Sequence, residues 1–510
     1  MEILRDLLRI VTSKSDSKRV FPELFETSAD EIPSSLAGMY LHGVMNGTFK
    51  TDTEAAEYLY GVPETDSRYR VLKSRAIDRS VHAVLLMQIK TPEYSEYLSA
   101  YYKCTRNLIA AQTLLRFAAR SASDWLARKT LTMARKYEFT DICLPLSVLL
   151  RDSAAFYNKP RLYHHAHEQV IHFMDLLFAE YNSTAVLHRL IMMAFTTNTR
   201  NLDLVTVTNG LRQEYASIQR NLESHTLSLN RLRLDVMAAS LSLQYELLID
   251  SCDEAIAYLQ SKPHLSQPAR LGEFLLDKMI ALVLLRRPAK ALEDANTVAA
   301  SFTEGGRNWY LVYQFLTAAS LQNQEYARAH QYLREATSQR RFSLMPVSER
   351  EAWALFGAYI YLAQQLGLYE PEDPRTFQNF RLSTFLNSIP EMTREKKVET
   401  ALVLFAQIFF LITEGDDDTA QRRIEYLKVY SSRYMRDKSF LRIRIFMRML
   451  QAFPRASFYP DDIERRNADL FKKLQEHGSD YMGEHVNEYI PFEVMYHAIL
   501  DVIRSRVYDD

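Results

Sequence analysis

Glycine is scarce in this chain: 13 residues of 510, under half the usual share of roughly 7%. Sheets with tight turns, phosphate loops and dinucleotide-binding turns all draw on glycine for positive φ, so the composition leans away from them. Cysteine is scarcer still. Cys104, Cys143 and Cys252 are odd in number, far apart and without metal-ligand spacing. They read as reduced, buried thiols of a reducing compartment. Long apolar runs are missing too. The longest, Ala401–Ile412, has 12 residues and one glutamine, short of the roughly 20 that span a bilayer, and it reads as a buried helix. The opening stretch MEILRDLLRIVTSK alternates charge with leucine and has no apolar core of a signal peptide. Charge of one sign is also lacking: 62 basic against 63 acidic residues leave a net −1. No global field draws the chain to nucleic acid or to an anionic membrane. The expectation is a cytoplasmic protein away from membranes.

What is present is helical periodicity. Almost every segment carries apolar residues at i, i+3, i+4 and i+7, and alternation over six or more residues is nearly absent. Short polar clusters break the pattern: NKP at 158–160, SKPHLSQP at 261–268, TEGGR at 303–307, LYEPEDP at 368–374 and EGDDDT at 414–419. Their spacing leaves one helix or a helical hairpin between neighbours, as an α-solenoid does. The elements DEAIAYL, AKALEDA, ARAHQYL and TAQRRIEYL put Ala255, Ala291, Ala329 and Ala420 in one register. Four residues on come Leu259, Ala295, Leu333 and Ile424. A small residue there lets two helices cross closely.

Residues 268–340 resemble tetratricopeptide repeats. Tyr313, Leu316, Tyr326, Ala329, Leu333 and Ala336 fall where that family has aromatic, leucine, aromatic and small residues. Thr317, Ser320 and Lys278 depart from the pattern. The resemblance implies stacked helical hairpins and names no partner.

The chain is therefore expected to be all-α: an α-solenoid of stacked antiparallel hairpins, tetratricopeptide-like in its C-terminal part. The expected divisions are an N-terminal helical cap over 1–90, a long-helix first part of the array over 91–230, repeats over 231–435 and capping helices over 436–510. Within the cap, 34–47, 52–61 and 67–86 read as three helices. Residues 95–120 read as one long helix.

Four clusters carry candidate chemistry. Arg68, Arg70, Lys73, Arg75 and Arg79 follow a helix-turn-helix-like segment and would reach phosphates or bases if it reads DNA. A solvated cap face is the favoured account of them, and the linker GVPETDSRY is longer than the usual turn. His164, Glu168 and His172 share a helix face, yet i and i+8 lie roughly 12 Å apart, too far for one ion. Asp416, Asp417 and Asp418 sit at a helix start, where carboxylates cap free N–H groups. Cys143 lies in the apolar run ICLPLSVLL and reads as a structural thiol. No phosphate-loop, dinucleotide, nucleophile-elbow or paired C-x-x-C motif occurs, so neither catalytic residue, metal nor cofactor is expected.

The remaining cluster is GRNWYLVYQFL. One helix stripe cannot bury Trp309, Tyr310, Tyr313 and Phe315 together, because Tyr310 lies about 100° round from Trp309. With Arg307 beside them, Trp309, Tyr310 and Phe315 are candidates for a partner-binding anchor; burial by a neighbouring repeat is the alternative. The expected function is non-enzymatic: a scaffold or adaptor that receives a protein or peptide in the concave face of the array. A DNA-binding regulator and a regulatory subunit of a larger complex are the competing expectations. Oligomeric state is left open.

Overall fold

The computed structural model describes residues 1–12, 35–86, 95–196, 204–219, 221–373, 377, 385, 397–435, 440–477 and 488–508. Residues 13–34 and 87–90 of the expected cap lie outside this set. Every regular element among the described residues is helical, and none is a strand. The chain divides into two compact units, Met1–Phe173 and Met174–Asp510.

In the first unit, α1 (Glu2–Thr12), α2 (Leu36–Met45), α3 (Asp52–Tyr60) and α4 (Ser67–Leu86) form a bundle. The last three match the expected helices to within two residues. Leu4 and Leu8 of α1, Tyr40 and Leu41 of α2, Ala55 and Ala56 of α3, and Tyr69 and Ala76 of α4 make its core. A capping box starts α3: Thr51 Oγ1 accepts the Glu54 N–H at 3.2 Å, and Glu54 Oε2 accepts the Thr51 N–H at 3.3 Å. That closes two of the N–H groups a helix start leaves open.

Next come α5 (Glu96–Arg116), α6 (Arg120–Lys136), α7 (Thr140–Phe156) and α8 (Pro160–Thr196), which runs on into the second unit. The single helix expected over 95–120 is in fact interrupted. Ala118 adopts φ +58° and ends α5. The same break recurs at Glu138 and Asn158, giving a period of 20 residues. Burial follows it: Ser123 and Cys143, Ala127 and Ser147, Thr130 and Leu150, Ala134 and Ala154 are all buried.

Each break is a left-handed helix cap. At the third, the Lys159 N–H donates to the Ala154 carbonyl at 2.9 Å and the Asn158 N–H to the Ala155 carbonyl at 3.1 Å. These are the paired bonds of a Schellman turn, which glycine usually supplies. Ala118, Glu138, Asn158, Leu243, Arg286 and Gln324 all hold such a position, with φ between +50° and +61°. A side chain there costs roughly 1–2 kcal/mol against glycine. Six turns that glycine usually serves are thus held by residues with a Cβ, in line with the low glycine count.

The second unit continues through α9 (Leu204–Gln219), α10 (His225–Leu241), α11 (Tyr245–Ser261), α12 (Pro268–Leu284), α13 (Pro288–Glu293), α14 (Ala295–Ala300), α15 (Arg307–Gln322), α16 (Tyr326–Thr337) and α17 (Val347–Gln365). It ends with α18 (Lys397–Thr413), α19 (Asp417–Tyr434), α20 (Leu441–Leu450), α21 (Ala452–Arg455), α22 (Pro460–Glu476) and α23 (Phe492–Tyr508). The run Ala401–Ile412 lies within α18, with ten of its residues buried in the main core. Among the described residues no helix is long and apolar enough to cross a membrane.

The alanine register is corrected in part. All four alanines are buried. Ala291, Ala329 and Ala420 each lie five residues beyond a left-handed residue (286, 324 and 415), whereas Ala255 lies twelve beyond Leu243. Sequence similarity alone slides that element by two helical turns against the others. A close crossing is plainest at Gly272 of α12, where a Cβ would sit 2.4 Å from Ser301 Cβ.

Candidate interaction surfaces

The GRNWYLVYQFL cluster is core on its aromatic side. α15 is packed by α12, α13, α14, α16 and α17, so little of its circumference is left open. Tyr313 turns to α16: its hydroxyl donates to Glu335 Oε2 at 2.9 Å and its ring meets Tyr332 edge-on. Trp309 lies 4.0 Å from Tyr313, centroid to centroid. Tyr310 points the other way, towards Phe342 and Trp353. Trp309 and Tyr310 are buried and Phe315 is half-buried against the same core; Arg307 alone of the four candidates is exposed. Trp353 of α17, with Phe342 before that helix, takes up the Tyr310 ring that the α15–α16 hairpin does not hold.

The basic residues of α4 divide. Lys73 donates to Asp52 Oδ2 at 2.8 Å, beside the Tyr69 hydroxyl, which donates to Oδ1 at 2.6 Å. Burial alone would raise the Asp52 carboxyl, but these bonds outweigh it and hold it below the usual carboxylate range. Arg68 pairs with Asp66 at 3.1 Å. Arg70 and Arg75 face solvent and Arg79 is half-exposed. The bundle thus uses Lys73 for its own stability.

His164, Glu168 and His172 are all exposed on α8. Among the described residues no group of three or more His, Cys, Asp or Glu gathers into a metal-binding cluster. Asp416 caps α19 by accepting the Thr419 N–H at 3.1 Å. Asp417 pairs with Arg506 at 2.8 Å. Cys143 is buried.

Sequence reasoning missed the surface of α5 and α6. An open cleft of about 450 Å³ runs between them, lined by Glu96, Lys103, Lys129, Met133, Lys136 and Tyr137. Trp125 flanks it, 63% exposed, with Lys129 Nζ 5.0 Å from its ring. Trp125, Lys129 and Lys136 lie at i, i+4 and i+11, along one face of α6. That spacing was legible; the opposing Lys103 on α5 was not, because the turn at Ala118 that folds the helices together was hidden. Phe117 at this turn is 81% exposed.

No protein-family model matches the sequence, and neither a curated protein nor a solved structure matches it.

Proposed function

We propose that the chain is an α-solenoid of tetratricopeptide-like hairpins that works as a non-enzymatic scaffold or adaptor, holding a peptide or helix of a partner protein. The recurring left-handed turns and the buried alanines five residues beyond three of them support the hairpin reading. The observation that carries the binding role is the α5–α6 cleft. Three lysines line it and a solvent-facing tryptophan flanks it. Tryptophan is a preferred anchor at interfaces, and lysines on the rim steer an acidic partner. The ligand is therefore an acidic segment with an apolar side chain to lay against Trp125. The test is affinity purification of the full chain followed by binding measurements with each copurified protein. Lys103→Glu with Lys129→Glu should weaken the specific partner at least tenfold with an unchanged circular dichroism spectrum. Partner binding indifferent to both changes, or duplex DNA bound through Arg70 and Arg75, overturns the proposal.

A further inference from the structure

The second unit opens on a helix whose outer face is exposed. From Met174 to Met192, α8 exposes Met174, Phe178, Tyr181, Ala185, His188 and Met192. Their spacing is 4, 3, 4, 3 and 4 residues, the 3.5-residue repeat of a coiled-coil seam, with Phe178, Ala185 and Met192 in one row and Met174, Tyr181 and His188 in the other. Phe178 is 72% exposed, Tyr181 67% and Met192 64%. An exposed row this apolar marks an interaction surface.

The opposite face fixes the helix firmly. Leu176, Ala179, Val186, Leu187 and Leu190 are buried, packed with Leu211, Tyr215, Leu227 and Leu234 of α9 and α10. Asn230 Nδ2 donates to Ser183 Oγ at 3.0 Å and to Thr184 Oγ1 at 2.9 Å. The Ser224 hydroxyl donates to Glu180 Oε1 at 2.6 Å. The seam is thus presented on a rigid helix about 27 Å long over these residues.

We infer that this seam pairs with the same seam of a second copy of the chain, the two helices antiparallel about a two-fold axis near residue 183. The sequence of the seam is complementary to itself only in that arrangement. A two-fold interface sets residue i against residue j and j against i. With the axis there, Met174 meets Met192 of the other copy, Phe178 meets His188, and Tyr181 meets Ala185. Each large side chain near the axis faces a small or flat one. A parallel pair would instead set His188 against His188 and leave Ala185 facing Ala185, a gap at the centre of the seam. The charges agree. Asp175 and Arg189 both flank the seam on the same side, and the antiparallel register brings each opposite the other. Arg189 already bonds Glu214 within the chain, yet about half of its side chain remains exposed. The inference is independent of the α5–α6 cleft.

Sedimentation of the full chain at tens of micromolar should give twice the 59.4 kDa mass, and Phe178→Asp with Tyr181→Asp should return it to the monomer without loss of helicity. Orientation is read by cysteine cross-linking, since the native cysteines are buried. Met174→Cys mixed with Met192→Cys should give a disulfide-linked dimer, and neither alone should. Likewise Asp175→Arg and Arg189→Asp should each dimerise at least tenfold more weakly than the parent and recover when mixed. A monomer at these concentrations overturns the inference and leaves the seam to a foreign helix. Cross-links within either single-cysteine sample overturn the antiparallel register.

Discussion

Arg442 and Glu488, 46 residues apart, meet in a buried pair: Nε donates to Oε1 at 2.6 Å and Nη2 to Oε2 at 3.0 Å. The pair ties several elements together. Arg442 on α20 also bonds the Leu474 carbonyl and Glu493. Glu488 accepts the Phe492 N–H at 3.2 Å and lies 3.3 Å from Arg286, in the turn after α12. Its own carbonyl accepts from Gln322 Nε2 of α15 at 3.0 Å. Removing one partner leaves the other charged in a dry site, which costs about 3–5 kcal/mol. Arg442→Met should therefore lower the denaturation midpoint of the second unit sharply. Arg504→Met, at the half-exposed Glu464 pair, should change it by less than about 1 kcal/mol. Urea titrations of both variants check the contrast.

The left-handed turns predict a gain from glycine. Gln324 and Ala118 are exposed and hold φ +61° and +58°. Gln324→Gly and Ala118→Gly should each stabilise their unit by about 1 kcal/mol, the relief of Cβ strain less the extra freedom of the unfolded chain. Gly367→Ala, where glycine already holds φ +71°, should cost about as much. Denaturation curves with unchanged slopes check all three.

Tyr310 gives a prediction of opposite sign for two truncations. Its ring is core, so Tyr310→Ala should cost about 3–5 kcal/mol. Its hydroxyl is buried without a hydrogen-bond partner, so Tyr310→Phe should be neutral or stabilising. Both are read from thermal melts; a Tyr310→Ala variant that melts with the parent would return the ring to the surface.

Asp277 on α12 supplies a pH dependence. Burial, with Glu273 nearby adding and Arg233 opposing, pushes its carboxyl up to about 7. The unfolded chain has it near 3.9. Between these values the folded state binds the extra proton, so this group favours folding at low pH, and that contribution fades as pH rises through 7. Asp277→Asn should raise stability at pH 8 relative to the parent and flatten the slope between pH 5 and 8. Equal slopes in the two proteins would contradict it.

How much of this was readable beforehand differs by element. The helices at 36–45, 52–60 and 67–86 were legible because Ser, Thr and Asp starts and Gly61 mark their ends. The helix α18 was legible from its apolar run, and the α19 start from its aspartates. The interruption at Ala118 was invisible, because a left-handed alanine carries no sequence mark. With it went the meeting of Lys103 and Lys129 across α5 and α6. The Arg307 cluster was half legible: the geometry of the stripe demanded that Tyr310 find a second home, but only the packing of α17 names Trp353 as that home. The seam on α8 needed the fold as well, since the same 3.5-residue spacing describes a buried stripe until exposure is known.

The three buried thiols make the molecule its own reporter. Burial pushes Cys104 up to about 11 and Cys252 higher still, so at neutral pH neither offers a thiolate to an alkylating reagent while its surroundings stay closed. Cys104 and Cys143 belong to the first unit and Cys252 to the second. The rate at which each is labelled under native conditions measures how often that part of the chain opens. One timed alkylation, read by peptide mass, thus gives the opening equilibrium of both units in a single sample, with no engineered probe.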